Sequence, residues 1–142
     1  MKILLLSKKT DYCKLVQDYI KKSFPECTII EGDSSDLFPK INWEGDYIIS
    51  FLSPWIIPEN VLNLAKHSIN FHPAPPKYPG TGCYNFAIYN KEKEYGATCH
   101  YMEKKVDTGE IIKVKFFPMY EEDTVFTLKN RTMDYMLQLF YE

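Results

Sequence analysis

Three polar residues of this sequence have types and spacing that suit acyl or proton transfer. Asn70 and His72 lie two residues apart at the end of an apolar stretch, and Asp107 follows 35 residues after the histidine. Residues two apart on a β-strand point to the same side, so the amide and the imidazole would share one face. The three side chains are therefore candidates for a single catalytic centre.

The chemistry of this trio follows from its groups. An imidazole beside a carboxylate can transfer a proton near neutral pH. The amide N–H of Asn70 could donate to an oxygen that gains negative charge during acyl transfer. A histidine and an aspartate at this spacing also form purely structural pairs, so the spacing alone leaves both interpretations open. The other two histidines, His67 and His100, are interpreted as ordinary interior or edge residues.

The segment after His72 is unusually stiff. Four of the seven residues that follow are proline, and Gly80 and Gly82 come next. Proline fixes φ and biases the preceding residue towards extended geometry, whereas glycine permits turns closed to other residues. Such a loop loses little entropy when it holds a ligand, which favours a binding role over a simple surface connection.

Composition limits the class of protein. The 142 residues are 45% apolar and 25% charged, which is typical of one globular domain. A net charge of −2 argues against a nucleic-acid surface. No apolar run approaches the roughly 20 residues of a membrane span. The N-terminal "MKILLLSKKTDY" is interpreted as a buried first strand rather than a signal peptide.

The four cysteines show no Cys-x-x-Cys spacing and are interpreted as reduced thiols, which indicates a cytoplasmic protein. A zinc site drawn from two of them and two histidines has no supporting ligand spacing, and none is expected. The cysteines are Cys13, Cys27, Cys83 and Cys99.

Strand and helix patterns alternate along the chain. Strands are predicted at residues 2–7, 27–31, 46–52, 68–71, 95–103 and 110–119. Helices are predicted from an N-cap at Thr10 to Pro25, over 58–65, over 84–89, and from a cap at Asp123 or Thr124 to the end. The residues expected on the inward face of the first helix are Tyr12, Leu15, Val16, Tyr19 and Ile20, and those of the last helix are Val125, Leu128, Met133, Met136, Leu137 and Phe140. This alternation predicts an α/β fold with a largely parallel sheet, whose sites gather at the carboxyl ends of the strands.

Two stretches carry a family resemblance. "NFHPAPPKYPG" and "YGATCHYMEKKVDTGEII" resemble the folate-dependent formyltransferases, which include glycinamide ribonucleotide, methionyl-tRNA and sugar-nucleotide N-formyltransferases. The resemblance covers roughly residues 1–120 and is sharpest from Asp46 to Ile112. It implies a Rossmann-like, three-layer fold with a mostly parallel sheet and helices on both faces.

The resemblance also implies roles for particular residues. Asn70, His72 and Asp107 match the family's catalytic positions. One wall of the pterin pocket matches Trp55, Ile56 and Ile57. The other wall, largely through backbone groups, matches Met102, Lys105 and Val106. The substrate loop matches Pro75, Lys77, Tyr78 and Gly80.

The loop "HPAPPKYPG" is shorter by one residue than the corresponding loop of purine and transfer-RNA members, and it is most similar to the sugar-nucleotide enzymes. This implies transfer of a formyl group from N10-formyltetrahydrofolate, without a metal, to the amine of a nucleotide-linked amino sugar in surface polysaccharide (lipopolysaccharide) biosynthesis. Residues 1–142 would form a single catalytic domain without a C-terminal segment that supports homodimers. No nucleic-acid or membrane partner is implied. A formyltetrahydrofolate hydrolase and a non-catalytic folate- or nucleotide-binding remnant are the alternatives.

Overall fold

A computed structural model describes residues 1–142, which form six strands and four helices. The strands are β1 (Ile3–Lys8), β2 (Cys27–Gly32), β3 (Gly45–Phe51), β4 (Ala65–His72), β5 (Glu94–Tyr101) and β6 (Ile111–Pro118). The helices are α1 (Asp11–Ser23), α2 (Glu59–Leu62), α3 (Cys83–Tyr89) and α4 (Val125–Tyr141). Every predicted element is present. The predicted helix over 58–65 is too long, because residues from Ala65 onward pair with β3 as part of β4.

All six strands belong to one sheet in the order β2-β1-β3-β4-β5-β6. The first four of these strands are parallel, whereas β5 and β6 run antiparallel to their neighbours. The prediction of a mostly parallel sheet is thus confirmed. Because β1, β3 and β4 share one direction, their carboxyl ends meet at one edge of the sheet, where Asn70 and His72 lie.

Helices cover both faces of the sheet, as the resemblance implied. Leu5 of β1 packs in one cluster with Val16 of α1 and Met136 of α4. The neighbouring Leu4 points the other way and packs with Leu62 of α2. This alternation buries β1 on both faces and gives three layers.

The inward face of α1 differs from the predicted one. Leu15 and Tyr19 were expected to point inward, but both are partly exposed. Gln17 is buried instead, because its amide donates to Ser7 Oγ at 3.0 Å and to Glu31 Oε2 at 2.8 Å. A polar residue that satisfies its hydrogen bonds inside the protein therefore rotates the helix away from the purely apolar pattern.

The last helix begins as predicted. The Thr124 side chain accepts a hydrogen bond from the backbone N–H of Thr127 at 3.2 Å and caps α4. Leu128 and Met133 are buried as expected, whereas Val125, the first residue of α4, is exposed. None of the four helices combines the length and the apolar character needed to cross a bilayer.

Candidate active site

Asn70 and His72 lie at the carboxyl end of β4, between β3 and β5. Asn70 is paired directly with His100 of the antiparallel β5. Asp107 lies in the loop between β5 and β6, which returns over this end of the sheet. The strand end and the loop together bring three of the predicted residues to one place.

The loop holds Asp107 in an unusual backbone conformation. Its φ is +55°, in the left-handed region that residues other than glycine rarely adopt. Two residues later, Gly109 lies so close to β5 that an added Cβ would be 1.8 Å from the carbonyl oxygen of Tyr101. Only glycine fits there, so the "VDTG" turn packs tightly on the sheet and directs the carboxylate inward.

The carboxylate of Asp107 is the centre of the cluster. Its Oδ1 lies 3.3 Å from Asn70 Nδ2 and 3.2 Å from His100 Nε2. Its Oδ2 accepts a hydrogen bond from the backbone N–H of Gly80 at 2.9 Å and lies 3.5 Å from His72 Nδ1. The structure therefore brings Asn70, His72 and Asp107 together, while their catalytic roles remain a prediction.

His72 has one short hydrogen bond. Its Nε2 lies 2.8 Å from the carbonyl oxygen of Tyr78 in the proline loop. A carbonyl oxygen only accepts, so Nε2 carries a hydrogen and Nδ1 is the nitrogen that faces Asp107. The proline loop thus fixes which side of the imidazole meets the carboxylate.

His100 belongs to the cluster, which the sequence interpretation missed. Its Nδ1 lies 2.8 Å from the carbonyl oxygen of Tyr101, and its Nε2 faces the Asp107 carboxylate, so both ring nitrogens can donate. Burial by itself lowers the pKa of His100, but the hydrogen bonds to Asp107 and Tyr101 outweigh it and raise that pKa.

Two features explain the position of His100. The register of β5 against β6 shifts by one residue between Cys99 and His100, a bulge of the kind that redirects a side chain. In the sequence, His100 lies two positions before Met102, which was assigned to the pocket wall. Because residues two apart on a strand point to the same side, the assignment of Met102 would have placed His100 on the pocket side as well.

The same contacts keep Asp107 ionised. Burial would raise the pKa of this carboxyl group. The hydrogen bond from His100, the charge of His72 and the N–H of Gly80 overcome that effect and lower the pKa of Asp107 below its ordinary value. The site therefore has a buried, ionised carboxylate at neutral pH, which accepts hydrogen bonds from several groups.

A cleft of about 400 Å³ opens beside this cluster. Its wall includes five of the six residues expected to hold a pterin: Trp55, Ile56, Ile57, Met102 and Val106. The indole N–H of Trp55 donates to the carbonyl oxygen of Asp36 at 3.0 Å, which fixes the ring. Leu52, which also lines the cleft, has a φ of +54°, a strained conformation for a bulky residue.

The remaining predicted binding residues lie outside the lining of the cleft. Lys105, expected in the pterin wall, is exposed because its turn points the side chain to solvent, while its carbonyl accepts from Thr108 Oγ1 at 2.9 Å. The loop residues Pro75, Lys77, Tyr78 and Gly80 also lie outside that lining. The loop touches the cluster through backbone groups, the N–H of Gly80 and the carbonyl of Tyr78.

The thiols and imidazoles do not assemble into a metal site. All four cysteines are free, and no group of three or more potential ligands is placed to hold a metal ion. Cys83 lies 4.0 Å from His72 Nε2, but its thiol donates to the carbonyl oxygen of Tyr78 at 3.1 Å.

A family model described as formyl transferase matches residues 42–142. The match covers more than half of the chain, and the protein belongs to the formyl transferase family. The chain is 37% identical over 101 residues to the methionyl-tRNA formyltransferase of Staphylococcus epidermidis, which covers 70% of this chain and 33% of that protein. It is 39% identical over 92 residues to the GDP-perosamine N-formyltransferase of Brucella melitensis, a match that covers 63% of this chain and 36% of that protein. The chain thus spans about a third of the length of these relatives.

The fold is similar to that of the formyltransferase PseJ from Anoxybacillus kamchatkensis. That crystal structure contains UDP-4,6-dideoxy-4-formamido-L-AltNAc and tetrahydrofolate. The TM-score is 0.78 at 28% identity, and the match covers 99% of this chain and 72% of that one. The Rossmann-like fold implied by the resemblance is confirmed.

Proposed function

We propose that this protein transfers a formyl group from N10-formyltetrahydrofolate to the amine of a nucleotide-linked amino sugar. The proposal depends on one observation, the convergence of Asn70, His72 and Asp107 beside a cleft in a member of the formyl transferase family. The likeness to PseJ, which was crystallised with a formamido sugar nucleotide and tetrahydrofolate, supports both the donor and the acceptor.

The cleft suits the pterin end of the donor. Its volume of about 400 Å³ lies in the usual range for small-molecule sites. Trp55, Ile57, Met102 and Val106 line the cleft and would provide apolar contacts for a flat heterocycle. Backbone groups of these two segments would bind its polar edge. When bound there, the donor supplies a formyl group on a nitrogen that can leave.

Asn70 would stabilise the charge that develops during transfer. The acceptor amine forms a bond to the formyl carbon, and negative charge develops on the formyl oxygen. The bond from that carbon to N10 then breaks. The amide nitrogen of Asn70 already lies on the cleft side of β4, where its N–H can donate to that oxygen. Loss of one such donor costs about 10²–10³ in rate.

His72 and Asp107 would move the proton. Nε2 of His72 is committed to the carbonyl of Tyr78, so Nδ1 is the nitrogen that can exchange a proton with Asp107 and with a bound substrate. The acceptor amine loses one proton, and N10 gains one when it leaves, which this pair can carry. On the other side of Asp107, the hydrogen bond from His100 Nε2 at 3.2 Å opposes the effect of burial and helps to lower the pKa of the carboxyl group.

A second acceptor has support of its own. The identity of 37% to a methionyl-tRNA formyltransferase favours the amine of an aminoacyl-tRNA. The net charge of −2 favours the sugar acceptor, because tRNA binding depends on neutralising many phosphates. The loop "HPAPPKYPG" favours it too, because this loop is most similar to that of the sugar-nucleotide enzymes. Both acceptors use the same amine chemistry, so an assay has to separate them.

The test is a formylation assay with N10-formyltetrahydrofolate and a panel of acceptors. The panel contains amino sugars linked to UDP, dTDP and GDP with the amine at different ring positions, methionyl-tRNA, and a reaction with no acceptor. Mass spectrometry detects the formylated product, and absorbance follows release of tetrahydrofolate. We expect formylation of a sugar nucleotide, at a rate that Asn70→Ala lowers by about 10²–10³-fold. Formylation of tRNA alone, hydrolysis without acceptor, or no turnover would each contradict the proposal.

A further inference from the structure

Tyr78 lies behind the candidate site and is held at both ends. Its carbonyl oxygen accepts from His72 Nε2 at 2.8 Å and from the thiol of Cys83 at 3.1 Å. Its phenol donates to Glu92 Oε1 at 2.7 Å and accepts from Asn90 Nδ2 at 3.0 Å. One residue therefore connects the imidazole of the site to groups on the far side of the proline loop.

The orientation of His72 depends on this carbonyl. The last torsion of a histidine side chain has broad minima, so hydrogen-bond partners decide how the ring is turned and which nitrogen carries the hydrogen. The contact with Tyr78 is 2.8 Å, whereas the contact with Asp107 is 3.5 Å. The shorter bond sets the ring and leaves Nδ1 for Asp107.

The backbone around Tyr78 has little freedom of its own. The N–H of Tyr78 donates to the carbonyl of Pro75 at 3.0 Å, and Pro79 restricts the conformation of the residue before it. The phenol bonds of Tyr78 add a second anchor to this segment, on the side of the residue opposite its carbonyl. That side chain packs near Tyr95 and ends at Glu92.

Glu92 is the charged end of this connection. It follows α3 in a turn where Lys91 has a φ of +51°, and its own N–H donates to the carbonyl of Ala87 at 3.1 Å. Its carboxylate pairs with the ammonium of Lys77 and accepts from the phenol of Tyr78, and these bonds lower the pKa of Glu92. Glu92 does not line the cleft, and its connection to His72 runs through Tyr78.

We propose that Tyr78 and Glu92 are positioning residues that fix the ring orientation and the tautomer of His72. Glu92 holds the phenol, the phenol places the Tyr78 carbonyl, and the carbonyl holds Nε2 of His72 so that Nδ1 faces Asp107. Without the phenol bond, the imidazole would sample orientations in which Nδ1 does not meet the carboxylate. The expected effect on kcat rests on the proposed function, whereas the control of the His72 ring and tautomer does not.

The experiment compares two variants with two matched controls. Tyr78→Phe removes the phenol oxygen and leaves the carbonyl, and Glu92→Ala removes the acceptor of the phenol. Tyr89→Phe and Glu94→Ala make the same chemical changes at exposed positions nearby. ¹⁵N NMR of the histidine ring nitrogens reports the tautomer of His72, and steady-state kinetics report kcat and KM.

Both variants should shift the ¹⁵N signals of His72 towards a mixture of tautomers and lower kcat by about fivefold, with the KM for the folate unchanged. The two controls should match the wild type in both measurements. Wild-type His72 signals in both variants would overturn the proposal, and so would shifted signals with a wild-type kcat. If the wild type formylates no acceptor, the proposed function fails, while the NMR signals still decide whether Tyr78 and Glu92 control His72.

Discussion

Two buried carboxylates in this protein have similar exposure and very different surroundings. The side chains of Asp107 and Asp123 are 7% and 4% exposed. Asp123 accepts two hydrogen bonds from Arg131, at 2.7 and 2.8 Å, one from Thr127 Oγ1 at 2.8 Å and one from the N–H of Tyr120 at 2.7 Å. The contacts of Asp107 range from 2.9 to 3.5 Å.

The partners differ in a way that separates stability from chemistry. The guanidinium of Arg131 never gives up its proton at ordinary pH, so its hydrogen bonds lower the pKa of Asp123 and join the start of α4 to the preceding turn permanently. Asp107 faces two imidazoles and an amide beside an open cleft, from a strained backbone. Loose contacts with exchangeable protons suit a reaction, whereas short bonds to a fixed charge suit a fold.

The largest expected effect belongs to Asp107→Asn. The amide keeps the shape of the carboxylate but carries no negative charge and cannot accept a proton, so kcat should fall by about 10³-fold. Circular dichroism and thermal melting should show a folded protein. A well-folded variant with a rate near that of the wild type would mean that Asp107 is only a turn residue.

The second effect tests whether His72 and Asp107 act as one unit. His72→Ala and Asp107→Ala should each lower kcat severely, and the double variant should be little worse than the worse single variant, because either loss disables the same step. Steady-state kinetics on the three proteins measure the coupling. Losses that multiply fully would show that the two residues act independently.

Asp123→Asn should have the opposite outcome to Asp107→Asn. Loss of the charge weakens the paired bonds from Arg131 and should lower the free energy of unfolding by about 2 kcal/mol, with kcat of the folded protein unchanged. Urea denaturation and kinetics below the melting temperature measure both quantities. A loss of rate without a loss of stability would remove the contrast between the two carboxylates.

The smallest effect is a difference in pH dependence. The raised pKa of His100 means that its pairing with Asp107 stabilises the fold fully below its ordinary value of 6.5, and that this contribution disappears as the pH rises through the raised pKa. The lowered pKa of Asp107 means that its contribution is present above its ordinary value of 3.8 and is lost as the pH falls through the lowered pKa.

Urea unfolding of the wild type and of His100→Gln across this range measures that contribution. The stability advantage of the wild type should shrink on the alkaline side, because neutral His100 no longer pairs with Asp107. The Asp123–Arg131 pair should give no such alkaline loss, since arginine stays charged. Parallel pH profiles for the two proteins would show that His100 is not charged in the fold.

Local patterns in the sequence predict the elements of the fold well. Apolar alternation and the threonine caps mark the strands and helices, and the Asn70-x-His72 spacing places two groups on one side of β4. Long-range features are not visible in the same way. The bulge that directs His100 depends on how β5 pairs with β6, and the buried Gln17 depends on partners in β1 and β2. The exposed side chain of Lys105 is likewise not visible from its sequence neighbours, which line the cleft, and its role in the pterin wall stays a prediction.

We propose that the cleft beside Asp107 binds the formyl donor with its formyl group at Asn70 and His72. A crystal structure of the protein with a stable 10-formylfolate analogue tests this directly. We expect the pterin to lie against Trp55 and Met102, the formyl oxygen to lie within hydrogen-bonding distance of Asn70 Nδ2, and His72 Nδ1 to face the reacting atoms. A folate bound elsewhere, or bound in the cleft with its formyl group turned away from both side chains, would contradict it.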